Sequence, residues 1–340
     1  MKLFFVSLLL IFVVGFMFWK GKDSVGGAVK DIPITFSSTS DFSFQEMTIP
    51  YLRSRNFESK LGNMTEYQDY PNYTSYLTSY DSDGLKINGL ITIPKNEKSK
   101  YPAIVFVHGY ISPTLYETTT RYLSHVDYLA SNGYVVFKID LRGHDDSEGN
   151  PGGAYYSGDY VTDTLNAYSA LENANFVDSS KIGLWGHSMA GNVTFRSFVV
   201  KKDIPALAIW AGAVYTYEDL ASFRLNDNSY RPPTTDTKRL EERVKLRSDY
   251  GDFSPNSWFW QKVVPTNYLE GLKGAVALFH SENDSVVNVG YSKNLNEILN
   301  NTSINHEMNL YKFGGHNIDG SFFPVAMSET VKFFDKYLKN

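Results

Sequence analysis

No cysteine occurs anywhere in the 340 residues, which excludes a disulfide framework, a Cys-ligated zinc site and a lipid anchor on a cysteine thiol. Any nucleophile is then an oxygen rather than a sulfur. Charge of one sign is also scarce: the formal net charge is −5 with no basic block, so nucleic acid and anionic membrane surfaces are not expected partners. Nor do His, Asp and Glu cluster with metal-ligand spacing, so neither a metal nor a cofactor is expected. Long apolar runs are missing too, with one exception at the N-terminus. Leu3 to Trp19, flanked by Lys2, Lys20 and Lys22, would span about 25 Å as a helix at about 1.5 Å per residue. No A-x-A-like cleavage site follows it, and Phe16, Phe18 and Trp19 fit poorly beside one. Residues 1–22 therefore read as a signal anchor carrying an exported catalytic domain, with a cleaved signal peptide and secretion as the alternative.

What is present is a chain able to build a large core: 42% hydrophobic and 15% aromatic residues. A Gly/Ser/Thr-rich linker over residues 23–41 precedes a single domain at 42–340, whose first stretch, Phe42 to Thr74, is expected to pack on the rest as an extension. Leu85 to Ile93 alternates as a half-buried antiparallel strand should. Short continuous apolar runs follow at Ala103–Val107, Tyr134–Ile139, Ile182–Trp185, Ala206–Trp210 and Val276–Phe279, the pattern of strands buried on both faces of a parallel sheet. Helical patterns at Thr118–Ser131, Tyr160–Ala174, Met189–Val200, Val289–Leu299 and Pro324–Leu338 fill most gaps. Such alternation implies an α/β fold with a mostly parallel, doubly wound sheet. One connection is too long for a single helix, and residues 213–273 are expected to form an insertion. It reads as a cap over the site. Its aromatic cluster Trp258-Phe259-Trp260 is expected either to line an apolar substrate pocket or merely to anchor the insertion.

The chemistry centres on Lys181-Ile182-Gly183-Leu184-Trp185-Gly186-His187-Ser188-Met189-Ala190-Gly191. An apolar strand, a G-x-S turn with small residues after it, and a helix together make the setting of a nucleophile elbow. A serine hydroxyl needs a base within hydrogen-bond reach and a third group to fix that base. Of the histidines after Ser188, His280 and His306 lie on strands, where a structural role is commoner. His316 lies in the glycine-bearing loop Phe313-Gly314-Gly315-His316-Asn317 ahead of the last helix, and is the expected base. Asp284, in the loop after Val276–His280, is the expected acid, with Glu282 and Asp319 as rivals. The backbone N–H groups of Met189 and Tyr110 are the expected oxyanion donors. His108, at the end of its strand, reads as structural.

With these residues in order along the chain, the sequence resembles the α/β-hydrolase superfamily, and within it the catalytic domain of the prolyl oligopeptidase (S9) family and dienelactone-hydrolase-like esterases. The resemblance spans roughly Tyr73 to Leu338 and rests on His108-Gly109, on Asp140-Leu141-Arg142-Gly143-His144-Asp145-Asp146-Ser147-Glu148-Gly149, on the Ser188 motif, and on Asp284 and His316. Relatives usually carry glycine where Asp145 stands. Larger S9 peptidases place a β-propeller ahead of this domain, for which the stretch before the hairpin here is too short. The resemblance implies a serine hydrolase acting through an acyl-serine on a small-molecule ester or, second, a short peptide or amide. A silent binding protein on the same fold would show a broken triad, and none of the three positions is broken. An acyltransferase would differ only in its acceptor.

Overall fold

In the computed structural model, residues 41–96, 98–225 and 237–340 are described. The expected anchor and nearly all of the linker lie outside them. Phe42–Asn340 forms one compact unit, built on a nine-stranded sheet. A short helix α1 (Ile49–Ser54) leads into β1 (Thr65–Asp69), β2 (Tyr73–Ser82) and β3 (Leu85–Pro94). These three pair antiparallel, in register across the turn at Asp83-Gly84. Then β4 (Tyr101–Val107), α2 (Leu123–Ser131), β5 (Val135–Ile139), α3 (Asp159–Glu172), β6 (Val177–His187), α4 (Met189–Val200) and β7 (Ala206–Trp210) alternate. After the insertion come β8 (Ala275–Ser281), a helix at Gly290–Asn300, β9 (His306–Tyr311) and a helix at Phe323–Phe334.

The strand order is β1-β2-β3-β5-β4-β6-β7-β8-β9, with every neighbour from β5 to β9 parallel. The chain leaves β4 toward one side to make β5, then crosses back to make β6 on the other. At that reversal the loops after β4 and β6 open side by side, which is where ligands bind in open α/β sheets. β4 and β7 are fully buried and so is β6 from Ile182 to His187, as their continuous apolar runs require. Ile49 and Leu52 of α1 share one core with α3, α4 and the Gly290–Asn300 helix. On the opposite face Val126 and Leu129 of α2 pack with Met327 and Phe334 of the C-terminal helix.

The start of α2 and the role of the extension depart from expectation. The helix read from Thr118 begins only at Leu123, because the preceding side chains are committed elsewhere. Thr118 Oγ1 donates to Asp140 at 2.5 Å, and Tyr122 has a left-handed backbone (φ 59°) that cannot continue a helix from either direction. The extension, in turn, does more than pack on the domain, since it supplies the edge strand β1 and thereby lengthens the sheet.

The insertion contributes helices α5 (Tyr217–Phe223), α6 (Thr237–Tyr250) and α7 (Trp258–Val263). Its start is fixed by a capping box between Thr216 and Asp219. Phe259 and Trp260 are buried with Met47, Tyr217 and Leu246. Tyr250 stacks on Phe259 with centroids 3.9 Å apart, and Phe42 meets Trp258 edge-on at 5.2 Å. The aromatic cluster is thus an anchor binding the insertion to the N-terminal extension. None of the described insertion residues lines the cleft that holds Ser188, and residues 226–236 of the expected cap lie outside the described residues. Among the described residues, no helix is long and apolar enough to cross a membrane.

Candidate active site

β6 delivers the chain into the elbow. Ser188 has φ 55° and ψ −118°, a strained conformation for a residue with a side chain. It is held there by its N–H, which donates to the Trp210 carbonyl on β7 at 2.8 Å. The turn leaves no space around it. A Cβ on Gly186 would stand 2.7 Å from the Ala190 carbonyl oxygen, and one on Gly191 would stand 2.6 Å from the Gly212 Cα. Ala190, where the strict motif has glycine, fits with its methyl group fully buried in the core.

The structure brings Ser188, His316 and Asp284 together. His316 Nε2 lies 2.8 Å from Ser188 Oγ, and His316 Nδ1 lies 2.8 Å from Asp284 Oδ2. Since the carboxylate can only accept, Nδ1 carries the proton and Nε2 is free to accept from the serine hydroxyl. Asp284 Oδ1 accepts the Val286 and Val287 amides at 2.8 and 2.9 Å. Its carboxylate has no solvent exposure. Burial alone would push its pKa up, but hydrogen bonds from His280 and His316 outweigh this and hold it well below the usual carboxylate range.

The rivals separate cleanly. Glu282 is exposed and faces Lys293 at 3.8 Å, while Asp319 takes a 3.3 Å contact from Asn317. His306 bonds the Ile304 carbonyl and Asn300. His108 sits buried between the Gly109 and Asp140 carbonyls, where burial lowers its pKa to about 3. Met189 is the first residue of α4, so its amide has no intrahelical acceptor. The Tyr110 amide, in the loop after β4, donates to no backbone carbonyl among the described residues. Both remain candidate oxyanion donors.

Three residues were not singled out as site residues from sequence. His280, at the end of β8, places Nε2 3.1 Å from Asp284 Oδ2 and 3.0 Å from the Val287 carbonyl, tying the acid to its own loop. His187 and Tyr122 pack beside His316 and Gly109. Position alone hinted at His280, four residues ahead of the acid. Nothing in the pattern marked Tyr122. Beneath the loop from Gly109 to Tyr122 lies a buried polar cluster. Lys138 Nζ donates to Tyr116 Oη at 3.0 Å and to the Thr118 carbonyl at 2.7 Å. Tyr116 in turn donates to Asp140 at 3.0 Å. Asp145, with φ 47°, explains why relatives carry glycine at that position. Here its carboxylate accepts the Thr118 amide at 2.9 Å and lies 2.8 Å from the Thr118 hydroxyl, whose single hydrogen it shares with the closer Asp140.

The nucleophile lies in an open cleft of about 400 Å³, lined among others by Tyr110, Arg121, Val286, His316 and Asn317. Among the described residues no group of His, Asp and Glu side chains is arranged to hold a metal ion.

Three family models match the chain. Residues 98–227 match serine aminopeptidase, S33. Residues 165–340, about half of the chain, match the BAAT / acyl-CoA thioester hydrolase C terminal. Residues 37–158 match acetyl xylan esterase. A curated relative, described as the uncharacterized peptidase YtmA of Bacillus subtilis, is 24% identical over 228 residues, covering 66% of this chain and 79% of that protein. Among solved structures, a puromycin-hydrolyzing peptidase from Mycobacterium tuberculosis superposes with a TM-score of 0.61 at 18% identity, over 79% of this chain. The match spans only 40% of that peptidase. Acetyl xylan esterase 1 from Thermoanaerobacterium sp. JW/SL YS485 superposes with a TM-score of 0.58 at 18% identity, over 84% of this chain and 90% of its own. The chain belongs to the α/β-hydrolase superfamily, among the serine hydrolases that include S9 peptidases and esterases.

Proposed function

We propose that the protein hydrolyses an ester bond, and secondarily a small peptide or amide bond, through an acyl-Ser188 intermediate. The observation that carries this is the unbroken chain Ser188 Oγ, His316 Nε2, His316 Nδ1, Asp284 Oδ2, with both hydrogen bonds at 2.8 Å. Ser188 Oγ attacks the substrate carbonyl while its proton passes to His316 Nε2. Asp284, kept ionised by its donors, stabilises the imidazolium that results. The oxyanion is received by the Tyr110 and Met189 amides. Collapse of the tetrahedral adduct breaks the bond to the leaving alcohol, which takes the proton back from His316. Water, activated by the same imidazole, then attacks the acyl-serine and restores the free hydroxyl. The family matches to esterase and peptidase models support the class of bond; the cleft, open to solvent, suits a small acyl group on a larger alcohol. The run Leu3–Trp19 is proposed to anchor the chain in a membrane with the catalytic domain exported.

The test is fluorophosphonate labelling of the full chain beside Ser188→Ala, followed by turnover of aryl esters and aminoacyl anilides. Labelling of wild type alone, with ester turnover, is expected. Wild type that does not label, or a variant that does, overturns the assignment of Ser188.

A further inference from the structure

Between the loop that carries Tyr110 and the loop that carries His316 runs a partly buried chain of hydrogen bonds whose direction is fixed by the carbonyl at its end. The Gly109 amide donates to Tyr122 Oη at 3.0 Å. The His316 carbonyl can only accept, so His187 Nε2, 3.0 Å away, carries the proton and donates to it. In the neutral imidazole Nδ1 is then an acceptor, and Tyr122 Oη, 2.7 Å from it, donates its single hydrogen there. His187 is buried, at 3% exposure, while Tyr122 is partly buried and packs edge-on against Phe106 and Trp185 with centroids 5.6 and 6.1 Å apart; both line the cleft that holds Ser188. The rings of His187 and His316 lie 4.7 Å apart. Burial drives the His187 pKa well below its ordinary value, which agrees with the neutral tautomer the geometry demands.

We propose that Tyr122 and His187 are positioning residues that lock the oxyanion loop and the base loop into one register across the nucleophile. The inference rests on the proposed roles of Ser188, His316 and the Tyr110 amide. Its physical content is that neither loop is rigid by regular structure. Gly109 precedes the Tyr110 donor directly, and His316 lies in a single 3₁₀ turn bounded by Gly314 (φ 123°) and Ile318 (φ 55°). His187 immediately precedes the nucleophile at the end of β6. A side chain from the most firmly held element therefore reaches out on both sides and sets the two parts that must converge on the same carbonyl. A displacement of a fraction of an ångström at either donor or base weakens transition-state contacts made in no other state.

The experiment uses the full chain with p-nitrophenyl acetate and active-site titration by a fluorophosphonate. Tyr122→Phe removes one hydroxyl and keeps the ring. Removing an oxyanion donor outright costs about 10²- to 10³-fold in kcat, so displacing one is expected to cost about 10- to 100-fold per titrated site, with KM within about twofold. His187→Leu is expected to lose at least as much. His187→Gln, whose amide can still donate toward the His316 carbonyl, is expected to recover most of it. A purely structural role would lower the melting temperature and the titrated fraction while leaving kcat per site intact. Nitrogen-15 NMR of the wild-type histidine side chains gives a test that needs no variant: His187 is expected as the Nε2–H tautomer throughout pH 5–9. Wild-type kcat in Tyr122→Phe, or a protonated Nδ1 on His187, overturns the proposal. Failure of the wild type to label overturns the underlying triad instead.

Discussion

Replacing Lys138 with methionine probes the ground on which the oxyanion loop stands. Lys138 and Asp140 both have no exposure, and the loop segment Tyr116–Thr118 is pinned between them. Burial is the leading cause of both shifts: it lowers the lysine pKa to about 8 and raises the aspartate pKa to about 6. At pH 7.5 both groups are charged. Methionine keeps most of the stem's volume, but leaves the Asp140 carboxylate without its cation and the Thr118 carbonyl without a donor. Lys138 faces Asp140 through Tyr116 and not in direct contact, so losing the cation and its two hydrogen bonds is expected to cost about 3 kcal/mol. At pH 5 the variant's Asp140, its pKa raised further by loss of the lysine, is protonated, and the cost falls to that of lost hydrogen bonds, about 1–2 kcal/mol. The sign follows from linkage. A carboxyl whose folded pKa lies above its unfolded value binds its proton more tightly when folded, so its contribution is full below the unfolded pKa and is lost as pH rises through the folded one. Urea unfolding of wild type and Lys138→Met at pH 5 and pH 7.5 should therefore show a penalty larger by about 1–2 kcal/mol at the higher pH. Lys138→Met/Asp140→Asn should abolish that difference. An equal penalty at both pH values in the single variant would refute the reasoning, because the lysine would then be acting by packing alone.

Gly186→Ala forces a methyl group against the Ala190 carbonyl; kcat should fall at least about 100-fold as the elbow shifts, read by steady-state kinetics on a titrated sample, and an active variant would show the turn to be pliable. His280→Leu removes a charge-assisted donor from Asp284. It should cost about 1.5–3 kcal/mol in unfolding free energy and about tenfold in kcat with KM unchanged, whereas wild-type kinetics would mean that His316 and two amides orient the acid unaided. Phe259→Ala should lower stability by about 3–5 kcal/mol while kcat/KM for a short aryl ester stays within about twofold; a large kinetic effect would place the aromatic cluster against the substrate after all.

The parts of this molecule legible from sequence are those where a physical demand acts on neighbouring residues. Strands buried on both faces must be continuously apolar, and Ala103–Val107 and Ala206–Trp210 are. An elbow tolerates only small residues around its serine, and Gly186, Ala190 and Gly191 supply them. The parts not legible depend on partners far along the chain. Thr118 to Tyr122 has a helical pattern, yet its hydroxyls are captured by Asp140, Asp145 and His187, and the helix starts late. His280 sits on a strand as expected, but only the direction of its ring shows that it holds the acid. Lys138 interrupts an apolar strand and would be expected at a surface; it is buried because Tyr116 and Thr118 fold back over it. Trp258-Phe259-Trp260 left two roles open, and the choice depended on Phe42 and Met47 from the opposite end of the domain.

The extension ahead of β1 is fastened to the nucleophile helix by two arginines whose guanidinium groups bond backbone oxygens. Arg53 reaches the Val199 and Tyr268 carbonyls, and Arg196 on α4 reaches back to the Met47 carbonyl. Peptide oxygens neither titrate nor attract counterions strongly, so this fastening is insensitive to acidity and ionic strength in a way that a seam of carboxylates would not be. It also sets the smallest fragment that can stand alone. A truncation near Tyr73 would strip the Met47 carbonyl, one of three that Arg196 bonds, from a buried cation on the catalytic helix and uncover the apolar underside of the insertion. The thirty-odd residues from Phe42 to Thr74, which hold none of the candidate site residues, are by that measure an inseparable part of the enzyme.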